Sequence, residues 1–345
     1  MRRRTSIQAA LAALATAAAT VGLAATGGAA YAAATPLPTH VFAPYWEAYL
    51  SSNPVNQAKQ SGSKYLTFAF LQTASAGSCT AYWNGDSGTP ISSSTYTSRI
   101  ASIQAAGGNV IPSFGGYSAD STGTDIADSC TNVSKIAAVY EDVITTYNIP
   151  RIDLDVEANS LTDTAGINRR NEAIADVEAW AKANGRSIQF SYTIPSNPTG
   201  MSSQDENVMK NAIADGATIA EVNLMTFDYY IGTEQNMASD TEEAGNDLHT
   251  QLAALYPSDT SAELWQMESV TEMPGIDDYG PDETFSEANA TTVLNWAESN
   301  GLGTLSFWAL QRDNGNCPGK KGQNTCSGIS QAKWYFSNTF EAFTS

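Results

Sequence analysis

The chain has 345 residues, with 36 acidic against 17 basic side chains and a formal charge of −19. A field of that sign disfavours nucleic acid and anionic membranes as partners and leaves a neutral polymer unaffected. The only histidines are His40 and His249, neither with a cysteine or carboxylate at ligand spacing, so no metal and no cofactor is expected.

Arg2, Arg3 and Arg4 form a basic start, an Ala/Leu-rich stretch runs to about Ala25, and Ala30-Tyr31-Ala32 or Ala32-Ala33-Ala34 offers small-residue cleavage sites. Residues 1–34 are therefore read as a secretory signal peptide, and residues 35–345 as one exported, extracellular domain. No later stretch approaches the length of a membrane span. Four cysteines in an exported chain suggest two disulfides. Cys317 and Cys326 lie close together in a Gly/Asn-rich loop and are expected to pair, which leaves Cys79 to Cys130. No Pro/Ser/Thr linker or low-complexity tract interrupts the chain, so no separate carbohydrate-binding module is expected.

Short apolar runs then alternate with amphipathic segments about eight times, the pattern of a (β/α)8 barrel. The expected strands are 41–45, 65–71, 109–114, 151–157, 187–193, 221–227, 270–276 and 304–308. The clearest helical patterns cover 95–106, 126–147, 168–184, 241–255, 287–300 and 330–343. Gly107-Gly108, Asn184-Gly185 and Asn300-Gly301 supply helix stops. A doubly wound open sheet is the rival architecture, but the glycine-rich dinucleotide fingerprint it often carries is missing.

The fourth strand contains the most informative pattern. Side chains alternate across a strand, so Asp153, Asp155 and Glu157 share one face while Ile152, Leu154 and Val156 share the other. Three acids on one face repel each other and resist burial together, which raises the pKa of at least one. A general acid working near neutral pH needs such a shift. In a barrel the functional face is the one where strands end. Ser113-Phe114-Gly115-Gly116 ends the third strand, Met225-Thr226-Phe227-Asp228-Tyr229-Tyr230 the sixth, and Ser306-Phe307-Trp308 the eighth.

These segments carry a family resemblance. Asp153, Asp155 and Glu157 match the last three acids of the D-x-x-D-x-D-x-E signature of family 18 glycoside hydrolases, the chitinase family. Pro150 and Arg151 replace its first acid and the glycine that follows. Ser113 to Gly116 resembles the family's S-x-G-G motif, and Met225 to Asp228 its M-x-Y-D motif with Phe227 in the tyrosine's place. Trp308 resembles its indole floor beneath the cleaved sugar. The resemblance implies a secreted bacterial chitinase on an α/β TIM barrel without a large insertion domain, acting as a monomer on chitin or chitooligosaccharides. With only a loop and one helix between the last two strands, the cleft should be shallow and the cuts internal.

On this resemblance Glu157 is the acid/base, Asp155 grips the substrate acetamide, and Asp153 shares a proton with Asp155. Asp228, Trp308, Gly115, Gly116 and Met225 contact substrate or shape its site, with Tyr45 and Trp46 as further aromatic plates. Gln72 and Tyr117 are weaker candidates. A phenyl ring cannot donate the hydrogen bond expected of the motif's tyrosine. Tyr229, two positions beyond Phe227 on the same strand face, is expected to supply the hydroxyl, with Tyr230 facing the other way. The rival readings are an endo-β-N-acetylglucosaminidase acting on N-glycans with the same acids, and a non-catalytic chitooligosaccharide-binding protein. Members of the last kind typically lose the acid that Glu157 provides.

Overall fold

The computed structural model describes residues 34–345, so the expected signal segment lies outside the described residues apart from Ala34. The first strand, β1, comes in two pieces, Val41–Phe42 and Tyr45–Glu47. Pro44 between them has no N–H to give to a ladder. The first piece pairs with β8, Thr304–Phe307, and the second with β2, Tyr65–Thr73. The ring continues through β3 (Asn109–Gly115), β4 (Arg151–Asp155), β5 (Gln189–Pro195), β6 (Glu221–Met225) and β7 (Glu268–Glu272). Every pairing in it is parallel. With β1 shared between both neighbours, eight strands close into the (β/α)8 barrel.

A helix follows each strand: α1 Pro54–Ser61, α2 Ser94–Ala105, α3 Val133–Tyr147, α4 Thr164–Ala183, α5 Ser203–Asp215, α6 Met237–Leu255, α7 Glu287–Asn300 and α8 Tyr335–Phe340. The expected helix 126–147 is broken. A short turn of helix, Ile126–Ser129, ends at Cys130, and Asn132 then starts α3 by accepting the Lys135 N–H. The expected helix 330–343 shrinks to α8 and a following 3-10 turn. The seventh strand lies earlier than expected, because Pro274-Gly275 leaves the ladder and starts a small antiparallel pair with Thr284–Phe285. The disulfides are Cys79–Cys130, tying the loop after β2 to that after β3, and Cys317–Cys326.

The apolar core lies between sheet and helices. Ile152, Leu154 and Val156 of the β4 run belong to it with Phe114, Phe190 and Ile174. The inside of the barrel is more polar, with a separate small apolar cluster of Val41, Ala43 and Ile111. Arg151 and Glu221 form a buried ion pair at 2.6 Å near the strand starts, and hydroxyl and amide side chains fill the layers above it.

Candidate active site

Asp153 lies inside the barrel and is fixed by four hydroxyl donors. Tyr45 and Ser113 donate to its Oδ2 at 3.0 and 2.6 Å, and Ser191 and Thr193 to its Oδ1 at 2.8 and 2.9 Å. Burial pushes its carboxyl up while these four bonds pull it back. Each Asp153 oxygen thus holds two hydroxyls. Asp155 is buried with Oδ1 unpartnered. Burial first, then the charges of Glu157 and Asp153, hold it well above the usual carboxylate range.

Glu157 lies just past the end of β4, where its extended backbone (φ −131°, ψ 179°) continues the alternation of the strand. Burial and the nearby Asp228 charge raise its carboxyl to about 7, against a hydrogen bond from the Tyr117 backbone. All three acids thus come to one side of β4. Asp155 and Glu157 face a cleft of about 910 Å³ at the strand ends, which Tyr45, Gly115, Met225, Asp228 and Trp308 also line.

The glycine pair is required by its surroundings. A Cβ on Gly115 (φ +93°) would stand 2.0 Å from the Asp155 carbonyl oxygen, and one on Gly116 (φ +84°) 2.6 Å from the Phe70 ring. That ring matters because Phe70 and Trp308 stack at 5.6 Å with 14° between their planes, and Tyr45 packs on Trp308 at 5.6 Å. Together they form an apolar shelf beside the acids. Flat C–H faces of pyranose rings are bound on such plates by dispersion and apolar burial.

Two expected site residues lie elsewhere. Trp46 follows Tyr45 in β1 and therefore faces outward, into the core against Phe68 at 4.7 Å, with its indole N–H donating to Ser52 and Gln57. Tyr229 is only 8% exposed and packs in the core, while Tyr230 is 61% exposed and lines the cleft with Phe227. Strand β6 ends at Met225, and Asp228 (φ +53°) and Tyr230 (φ +58°) are left-handed, so counting by twos fails there.

Carboxylates hold that irregular segment in place. Asp277 accepts the Asp228 N–H at 2.9 Å and the Gly280 N–H at 3.0 Å, and Glu283 accepts the N–H groups of Tyr229 and Ile231. Asp228 in turn accepts from Asp278 and Tyr279. Asp228, Asp277 and Glu283 come close enough to suggest a cation cluster, but these amide donors occupy them and make them loop anchors. Tyr117 and Gln72 also line the cleft. Sequence reasoning missed Tyr49 and Tyr230 on the cleft wall, and Asp120, whose Oδ2 accepts the Glu157 N–H at 2.5 Å.

The sequence pattern described as "Glycosyl hydrolases family 18" matches residues 40–289. The chain belongs to that family. It is 33% identical over 290 residues to a probable bifunctional chitinase/lysozyme of Escherichia coli (strain K12), covering 80% of this chain and 31% of that protein. It is 32% identical over 290 residues to Endochitinase 11 of Metarhizium anisopliae, covering 80% of this chain and 53% of that one. The chain therefore spans about a third to about half of the length of these relatives. Among solved structures it is similar to the catalytic domain of a hyperthermophilic chitinase from Pyrococcus furiosus, with 28% identity, a TM-score of 0.78, and coverage of 90% of this chain and 96% of that one.

Proposed function

We propose that this family 18 chain is a secreted, monomeric chitinase that cuts β-1,4 bonds between N-acetylglucosamine units within the polymer. The observation that carries this reading is the run of Asp153, Asp155 and Glu157 on one side of β4, its last two acids opening into a cleft beside the Phe70–Trp308 shelf. Ordinary retaining glycosidases place two carboxylates across the bond, whereas family 18 uses the acetamide oxygen of the substrate as nucleophile. One acid then suffices for proton transfer.

Glu157, raised to about 7, is a proton donor to the leaving oxygen near neutral pH. Asp155 has a free buried oxygen with which to accept the acetamide N–H and steer its carbonyl onto the anomeric carbon. The four hydroxyls on Asp153 favour its ionised form, and its charge works against a second one on Asp155. Glu157 then draws a proton from the incoming water, and the product keeps the β configuration. The open cleft suits internal cuts, and the acidic surface suits a neutral polymer.

Glu157→Gln keeps the side chain's shape but cannot deliver the proton. It should lower hydrolysis of colloidal chitin by roughly 10²–10⁴-fold while leaving chitooligosaccharide binding largely intact. Activity within a few-fold of the parent would sink the assignment. Release of N-glycans from a glycoprotein without cleavage of chitin would instead favour an endo-β-N-acetylglucosaminidase. Binding without any hydrolysis would favour a sugar-binding protein.

A further inference from the structure

Between the glycine pair that ends β3 and the acids of β4 lies a short helix, Tyr117–Thr122. Its Asp120, 1% exposed, turns back so that Oδ2 accepts the Glu157 backbone N–H at 2.5 Å. Two further bonds hold the same stretch: Gly116 N–H donates to the Asp155 carbonyl at 3.1 Å, and Asn159 Nδ2 to the Ser121 carbonyl at 3.1 Å. Residues 155–159 are thus fastened at three points to the β3 end and this helix. They include Ala158, whose φ of +42° is an unusual conformation for a residue with a Cβ. The other Asp120 oxygen is buried without a hydrogen-bond partner. Such a group costs stability, and its place directly behind the acid that faces the cleft suggests a role in the reaction.

We propose that Asp120 is a positioning residue for hydrolysis: it fixes the Glu157 peptide, and so the aim of its carboxyl. This rests on the functional reading above. The titratable groups around Asp120 are Asp155 and Glu157 of the β4 run, Asp125 and Asp128 from the Ile126–Ser129 turn, and Arg170 of α4. Arg170 pairs with Asp125 at 2.9 Å and Asp128 at 3.5 Å, so neither of its ion pairs is with Asp120. Burial, then the Asp125 charge, hold Asp120 well above the usual range, opposed by Arg170 and the Glu157 N–H. Asp155 in turn is raised by burial and by Glu157, Asp153, Asp120 and Asp125 in that order.

Two substitutions test this. Asp120→Ala removes the acceptor, whereas Asp120→Asn keeps an oxygen for the Glu157 N–H. On chitooligosaccharides, Asp120→Ala should lower kcat by about tenfold or more with KM changed by less than about threefold, because a misaimed acid harms the transition state more than binding. Asp120→Asn should restore most of that loss. In ligand-free protein, amide exchange at Glu157 should quicken in Asp120→Ala but not in Asp120→Asn. Parental kcat in Asp120→Ala, even with a lowered Tm, overturns the positioning role. If Asp120→Ala does not fold, Asp120→Asn decides: exchange and kcat both near the parental values are expected, and quickened exchange with parental kcat overturns the role. A parent chain inert towards chitooligosaccharides would remove the functional reading, and the exchange measurement would still report whether Asp120 holds Glu157.

Discussion

On the proposed mechanism Glu157 must carry the proton it gives to the glycosidic oxygen, so activity should fall as pH rises past its value of about 7. After burial, the Asp228 charge is what raises that value. Asp228 itself is raised to about 6, by burial and by Asp278, and is therefore mostly ionised at neutral pH. Asp228→Asn should then move the alkaline limb of the kcat/KM profile to lower pH. A limb that stays in place would belong to another group of the set, since the acids titrate together. At this scale the three acids were legible because a strand repeats every two residues, and the same rule separates Tyr45 from Trp46 once strand faces are fixed. Asp120 was not legible. Its contact with Glu157 depends on the left-handed turn at Gly115-Gly116, which brings a short helix back over the strand end.

Segments beyond the strand ends were read less well than the strands. The sequence Met225 to Tyr230 looks like a continuing strand, yet beyond Thr226 the N–H groups of Asp228, Tyr229 and the following Ile231 bond to Asp277 and Glu283 in place of a neighbouring strand. Those two acids stand about fifty positions later in the chain, and nothing local announces them. The consequence reverses the expected roles of the two tyrosines. Tyr229→Ala should destabilise the fold by about 3–5 kcal/mol, as other large aromatic deletions from cores do, with oligosaccharide affinity of the folded protein nearly unchanged. Tyr230→Ala should weaken oligosaccharide binding and leave the denaturation midpoint in place. Calorimetric binding beside urea denaturation reads both, and the opposite pattern would restore Tyr229 to the cleft. Helix α5, by contrast, was overlooked although its capping box at Ser202 and Asp205 could be read directly.

Across the whole molecule, alternation of strand and helix made the barrel readable, while its closure depends on one interrupted strand that sequence pattern does not single out. Buried acids are a second global feature. Burial raises Glu47 to about 7, Glu272 and Asp277 to about 8, and Glu268 to about 10. With His249 pushed down, its 2.7 Å contact with Glu268 joins neutral groups at neutral pH. All four carboxyls lie above their unfolded values of about 4. The folded state therefore keeps protons that the unfolded chain releases, so their contribution to stability is full below about pH 4 and is lost as pH rises through the folded values. The melting temperature should be higher at about pH 5 than at about pH 8. Glu272→Gln, which cannot ionise but can still accept from Thr241, should narrow that difference. An equal difference in parent and variant would clear Glu272 of the effect.

The divided first strand also bears on how the protein is made. The Ala43 carbonyl accepts the Thr67 hydroxyl from 24 residues away and the Ser306 hydroxyl from 263 residues away. During synthesis, the second half of β1 can find β2 almost at once, whereas its first half must wait until β8 has left the ribosome. Until then β1 and β7 both present bare edges, the kind that recruit foreign strands. A nascent chain stalled before Thr304 should therefore be a client for chaperones, and release from them should coincide with the arrival of β8.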